Sequence, residues 1–201
     1  MYYNEGYMQA VVSQPTVMIS PDRSKLYITI RVEEGARFKV GLTSISGELL
    51  KPKEELLELF GMKEGEWFSS GSIRDGMTKV SEVYKDLGYA YANLIPNTRF
   101  VEDLGAIDLD LEIRKGPLVK IGRIEIVGNS NTRDKVIRRE MRISEGDTYS
   151  SSLINRSQQL INRLGFFETA VIEPARSADP KRMDLIVKVK EKPTGTFQVG
   201  A

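Results

Sequence analysis

Three carboxylates at alternate positions, Asp108, Asp110 and Glu112, fall within "IDLDLEIRKGP" (Ile107 to Pro117), close enough along one strand face to raise an oxygen site for a hard cation. A second concentration of charge, Arg138, Arg139, Glu140 and Arg142 in "VIRREMR", has the groups for paired, partly desolvated contacts with a partner. Beyond these the means for chemistry are few. The 201 residues contain no cysteine and no histidine, which removes thiol nucleophiles, disulfides, histidine-based triads and the commonest zinc ligands together. Carboxylate or lysine chemistry is all that is left to an enzyme, and no such pair recurs where the sequence repeats itself. The expectation is a non-enzymatic protein with no cofactor and no metal. In the second copy the matching strand, "MDLIVKVKEKP" (Met183 to Pro193), carries Asp184, Ile186 and Lys188, so the three carboxylates are read as the wet face of a sheet. By composition alone, the arginine cluster is a solvated helix face.

With 29 basic against 28 acidic residues the formal charge is +1, so no overall field directs the chain toward nucleic acid or an anionic surface. No apolar run approaches the ~20 residues of a spanning helix. The opening "MYYNEGYMQAVV" has neither the basic start nor the apolar centre of a signal peptide. A targeting segment for work outside the cytoplasm would therefore lie outside this sequence. Lack of cysteine fits a cytosolic or an envelope protein equally.

The elements that must position these residues come in repeats. "FKVGLTSISG" (Phe38 to Gly47) lies over "VKIGRIEIVG" (Val119 to Gly128) at an offset of 81, which persists through Glu64-Gly65 on Glu145-Gly146 and Phe68 on Tyr149. Leu87-Gly88-Tyr89 then meets Leu164-Gly165-Phe166 at an offset of 77, which places a four-residue deletion in the second repeat's helix. Two units of about 80 residues follow, at 38–117 and 118–194. Residues 1–37 match the back half of a third, with Gly6-Tyr7 at the break and "KLYITIRVEEG" as the last strand, while 195–201, "GTFQVGA", begin something else. Half a small sheet without helix cover is marginal alone, so Met1 to Arg37 is expected to pair with another sheet edge or a second copy.

Within a unit the first strand closes on Gly128-Asn129, and Asn131 or Thr132 is placed to cap a helix carrying Val136, Ile137 and Met141. In the first repeat Pro52 sits where a first-turn proline belongs. Ile73, Met77, Val80, Tyr84 and Leu87, spaced four and three, mark one buried stripe of a second helix. The last strand alternates Ile107, Leu109, Leu111 and Ile113 against polar residues, the pattern of a sheet with one buried face. Trp67 is expected to pack over the helix junction, and at least one of Phe166 and Phe167 to enter the core, since consecutive strand residues face opposite ways. The predicted fold is α+β, strand-helix-helix-strand-strand, a three-stranded mixed sheet covered on one face by two antiparallel helices. The third strand is central, which leaves the second, Tyr89 to Ile95 and Phe166 to Ile172, on an edge, stopped by Pro96 and Pro174.

That order, the "IEIVGN" opening, the Glu-Gly-Asp/Glu turn and the Leu-Gly-aromatic break resemble the POTRA repeat. "GNSNTRDKVIRREMR", "NRLGFFETAV" and "VKVKEKPTGTFQVG" are similar to the barrel-proximal repeat of outer-membrane barrel-assembly factors and its junction with the barrel. In the first repeat, "GELLKPKEE" departs from the usual Gly-Asn opening. The resemblance implies a periplasmic segment of an outer-membrane protein. Its partners would be unfolded outer-membrane protein precursors and assembly lipoproteins, with membrane contact only through a barrel absent here and no nucleic acid. It implies lipoprotein docking at Arg138, Arg139, Glu140 and Arg142, and client binding by β-augmentation along Tyr89, Ala92 and Leu94 and along Phe166, Phe167, Thr169 and Val171. The POTRA region of a two-partner secretion translocase is the alternative. A tandem KH-like RNA-binding module is disfavoured, because "GMKEGEWFSSG" and "ISEGDTYSS" lack the Gly-X-X-Gly loop that clamps RNA phosphates.

Overall fold

The computed structural model describes residues 2–193, so the expected start of a barrel at 195–201 lies outside the described residues. In chain order the elements are β1 (Val11–Val12), β2 (Thr16–Ile19), β3 (Leu26–Thr29), β4 (Val32–Glu33), β5 (Lys39–Gly47), α1 (Lys53–Phe60), α2 (Ser70–Asp86), β6 (Asn93–Val101), β7 (Ala106–Arg114), β8 (Lys120–Val127), α3 (Asp134–Arg138), α4 (Ser151–Arg163), β9 (Phe167–Arg176) and β10 (Arg182–Glu191). Strands assemble into two three-stranded sheets of order β5-β7-β6 and β8-β10-β9, so the third strand of each repeat is central and the second lies on an edge. The first strand is parallel to the central one in both sheets, and β9 is antiparallel to β10.

The chain divides into two compact units, one built on residues up to Val80 with Leu94–Arg114, the other on Ser81–Asn93 with residues from Lys115 onward. Their central strands hold the cores. Ile107, Leu109, Leu111 and Ile113 on β7, and Leu185 and Val187 on β10, are buried, at roughly 1.5–3 kcal/mol each. On α2 the apolar stripe buries Ile73, Val80 and Tyr84, whereas Leu87, one residue past the helix end, is 47% exposed. Helix α4 runs 13 residues where α2 runs 17, the four-residue difference that the sequence offsets require. After each of these helices a glycine takes positive φ, Gly88 at 97° and Gly165 at 78°, which is why Leu-Gly-aromatic recurs.

A second shared device joins the first and third strands. Both parallel pairs carry a register shift, between Val40 and Thr43 and between Met183 and Leu185. At each one an aspartate takes the amide left unpaired, Asp108 Oδ1 accepting from Leu42 N–H at 2.8 Å and Asp184 Oδ1 from Arg123 N–H at 2.7 Å. The carboxylates need glycine beside them, since a Cβ on Gly41 or Gly122 would lie 2.3 or 2.0 Å from those oxygens. The remaining carboxylates of the Asp108 strand are also engaged, Asp110 by Ser44 and Ser46 and Glu112 by Arg114.

Two expectations about helix starts are corrected here, and so is the first of the two pairings expected for Met1 to Arg37, that with another sheet edge. Residues 2–37 make two two-stranded antiparallel sheets, β1 with β4 and β2 with β3, and neither joins another sheet edge among the described residues. The segment is held by its first residues instead: Asn4 Oδ1 accepts from Gly71 N–H at 2.9 Å, Gly6 O accepts from Phe38 N–H, and Arg37, bonded to Glu5 O, stacks on Trp67 at 3.8 Å. Neither Asn131 nor Thr132 caps the first helix of the second repeat; its N-cap is Arg133 with no side-chain bond. Glu191, reaching from β10, accepts from both Asn131 and Thr132 backbone N–H groups and ties that turn to the sheet. Pro52 is the N-cap of α1 and sits just before its first turn.

Candidate functional site

The second strands are the exposed edges, and their bounds differ from the expected ones. Tyr89 and Ala92 precede β6: Tyr89 N–H donates to Tyr84 O and Ala92 N–H to Tyr89 O, so residues 88–92 form a turn before the strand starts at Asn93. Leu94 lies within β6 and is buried. Phe166 precedes β9 and is 52% exposed, while Phe167 enters the core. Thr169 and Val171 pair with Lys190 and Lys188 of β10. Pro96 and Pro174 do not stop the strands but lie inside them, which an edge permits where the missing N–H would have faced outward.

The outward row of β9 is fixed by its bonds. Asn162 of α4 accepts at Oδ1 from Ala170 N–H at 2.9 Å and donates from Nδ2 to Ala170 O at 2.8 Å. Gln158, one turn earlier, accepts at Oε1 from Ile172 N–H at 2.9 Å. Ala170 and Ile172 therefore face away from β10, and alternation puts Pro174, with no N–H, in the same row. Two side chains spaced i, i+4 on α4 thus occupy the place of a neighbouring strand. Sequence reasoning missed both, although "NRSQQLINR" holds an amide pair at the right spacing.

On the other edge of this sheet one residue, Ile124, is covered in the same way. Glu145 accepts from Ile124 N–H at 2.8 Å, and Arg138 donates to Ile124 O at 2.9 Å. Arg138 is thereby occupied with β8, whereas Arg139 and Arg142 are exposed and Glu140 sits half-buried against Arg139 at 3.3 Å. The cluster is not one helix face, because α3 ends at Arg138 and the chain turns through Arg139 and Glu140. Beside it opens a groove of about 330 Å³ lined by Ile124, Arg138, Met141, Ile143, Ser144 and Glu145.

In the first unit the edge is different. Leu94 is buried on the helix side, and Phe100 lies on the same side with its ring 5.2 Å from that of Phe38, while Arg99 points to the opposite face and pairs with Asp108 at 2.6 Å. Both sheets share one topology, so helix-facing residues of β6 carry outward backbone groups as Ala170 and Ile172 do. Among the described residues no side chain bonds the backbone of Leu94, Pro96, Thr98 or Phe100. Arg99 and the Leu42 amide hold the Asp108 carboxyl below the ordinary carboxylate range, the arginine being the larger cause.

The POTRA family model, described as a surface antigen variable number repeat, matches residues 38–116 and 119–192. The chain is 34% identical over 198 residues to the outer membrane protein assembly factor BamA of Nitratidesulfovibrio vulgaris (strain Hildenborough), covering 96% of this chain and 25% of that relative. It is 31% identical over 206 residues to BamA of Neisseria meningitidis serogroup B, covering 100% of this chain and 25% of the relative. The crystal structure of Haemophilus influenzae BamA POTRA3-5 matches with a TM-score of 0.85 at 26% identity, over 94% of this chain and 76% of that one. The chain spans about a quarter of the length of these curated relatives.

Proposed function

The chain belongs to the POTRA family, and from that membership we propose that it works in the periplasm as part of an outer-membrane protein assembly factor, receiving unfolded barrel precursors and docking assembly lipoproteins. The observation that carries the reading is the position of a second strand on a sheet edge, as β6 lies in the first complete repeat. Main-chain groups on such an edge serve any client sequence, and alternate side chains add only loose preference, which suits a receiver of many different precursors. Clients would add by β-augmentation, and no step calls for an enzymatic group or a cofactor.

Lipoprotein docking is assigned to the turn around Arg139, Glu140 and Arg142. Two exposed guanidinium groups beside a groove with an apolar floor of Ile124, Met141 and Ile143 offer a charged rim and a pocket for an anchoring side chain. Arg138 supports the site by holding its bond to β8.

Retention of a urea-unfolded outer-membrane barrel precursor on the immobilised chain, diluted to low urea, tests the reading. The unfolded precursor should be retained and the same barrel folded in detergent should pass through. Equal retention of both forms, or of neither, contradicts it.

A further inference from the structure

We infer that strand addition is confined to the first complete repeat, on β6 between Leu94 and Phe100, and that Gln158 and Asn162 act as a built-in strand that keeps the second repeat closed. This rests on the reading that clients bind as added strands and goes beyond it by saying where.

Two edges of the same topology differ in what covers them. On β9 both backbone groups of Ala170 and the N–H of Ile172 are bonded to α4 side chains, and Pro174 has no N–H to offer. An incoming strand would have to displace Asn162 and Gln158 before forming its own bonds there, an exchange with little net gain. Natural edges are commonly blunted by proline or covering groups, and β9 has both. The row on β6 runs Leu94, Pro96, Thr98, Phe100, with N–H groups at three positions and C=O groups at all four, and it is interrupted by one proline only.

The difference originates in the helices. At the helix-end offset of 77, Asn162 and Gln158 correspond to Lys85 and Ser81 of α2. A lysine has no acceptor for a strand amide, and the serine hydroxyl reaches no further than Ala92 O, at 3.4 Å, ahead of the strand. The first strand of the first repeat is a lesser competitor: Val40 is already bonded to the turn at Gly65 and Glu66, which leaves the shorter row of Thr43, Ile45 and the terminal Gly47.

The test is amide hydrogen exchange on the whole chain, alone and saturated with a synthetic ten-residue peptide of alternating apolar and polar residues, the pattern of a barrel strand. New protection is expected at Leu94, Thr98 and Phe100 and none at Ala170 or Ile172. Thr98→Pro removes one outward donor while leaving the β7 side intact, and should weaken peptide binding on the order of tenfold. The double variant Gln158→Ala with Asn162→Ala should gain peptide-dependent protection at Ala170 and Ile172. Protection of Ala170 and Ile172 in the parent chain overturns the confinement while leaving strand addition standing, as does protection limited to Thr43, Ile45 and Gly47 or to 16–29. Peptide binding with no new amide protection anywhere, or no binding, overturns strand addition itself and this inference with it.

Discussion

Replacing Asn162 by alanine removes two bonds to a single buried residue. Ala170 is 2% exposed, and the amide side chain satisfies its N–H at 2.9 Å and its C=O at 2.8 Å. A net bond contributes about 0.5–1.5 kcal/mol, and a buried polar group left unsatisfied costs about 1–3 kcal/mol. The groups lie on the outward side of an edge strand, where water can replace part of what is lost, so the total is about 2 kcal/mol. Alanine returns about 0.5 kcal/mol through its better helix propensity. The expected net loss is about 1.5 kcal/mol, slightly more than tenfold in the folding constant of the unit. Native-state hydrogen exchange measures it residue by residue without assuming that both units unfold together. Ala170 should exchange faster by tenfold or more, while Ile172, held by Gln158, should follow only the change in global stability. A variant within 0.3 kcal/mol of the parent, with unchanged exchange at Ala170, refutes the capping argument.

Gly122→Ala should cost about 2–3 kcal/mol because its Cβ meets the Asp184 carboxylate at 2.0 Å; Gly165→Ala, with open space and a positive φ, should cost only about 1–2 kcal/mol, and thermal denaturation compares the two. Acid should unfold the second unit partly through Glu191, whose carboxyl is held below its ordinary range chiefly by the Thr132 backbone amide. A lowered folded-state pKa stabilises fully above the unfolded value of about 4.3 and is lost as pH falls through the folded one, so Glu191→Gln should flatten stability against pH below about 4.5 in acid titrations followed by circular dichroism. Glu140→Lys should change stability by less than about 0.5 kcal/mol yet weaken retention of an assembly lipoprotein at low salt; unchanged retention returns the turn to a solvated role.

Much of this was legible because it is periodic. The alternation of Ile107, Leu109, Leu111 and Ile113 marks a strand buried along its length, and the recurrence of Leu-Gly-aromatic marks two helix ends that need positive φ. Local pattern could not fix where β6 begins, because Ala92 bonds back to Tyr89 and the intervening residues read as strand by composition. Pro96 and Pro174 look like strand stops in a sequence, whereas an edge tolerates them once the missing N–H faces out. The bulge acceptors were hidden by distance along the chain, Asp108 lying 66 residues from Leu42 and Asp184 61 from Arg123. The cover over β9 was hidden for another reason: polar side chains on an exposed helix face normally mean solvent, and only the geometry brings Gln158 and Asn162 to Ala170 and Ile172.

The claim that clients join the first repeat and not the second is tested most directly by a photoreactive amino acid placed at Asn97 or at Thr169 of the full-length protein, in cells actively assembling outer-membrane barrels. Both positions lie on second strands, at the open and the covered edge respectively. Adducts with unfolded precursors should form from position 97 and be absent from position 169. Adducts from position 169 at equal or greater yield would contradict the account.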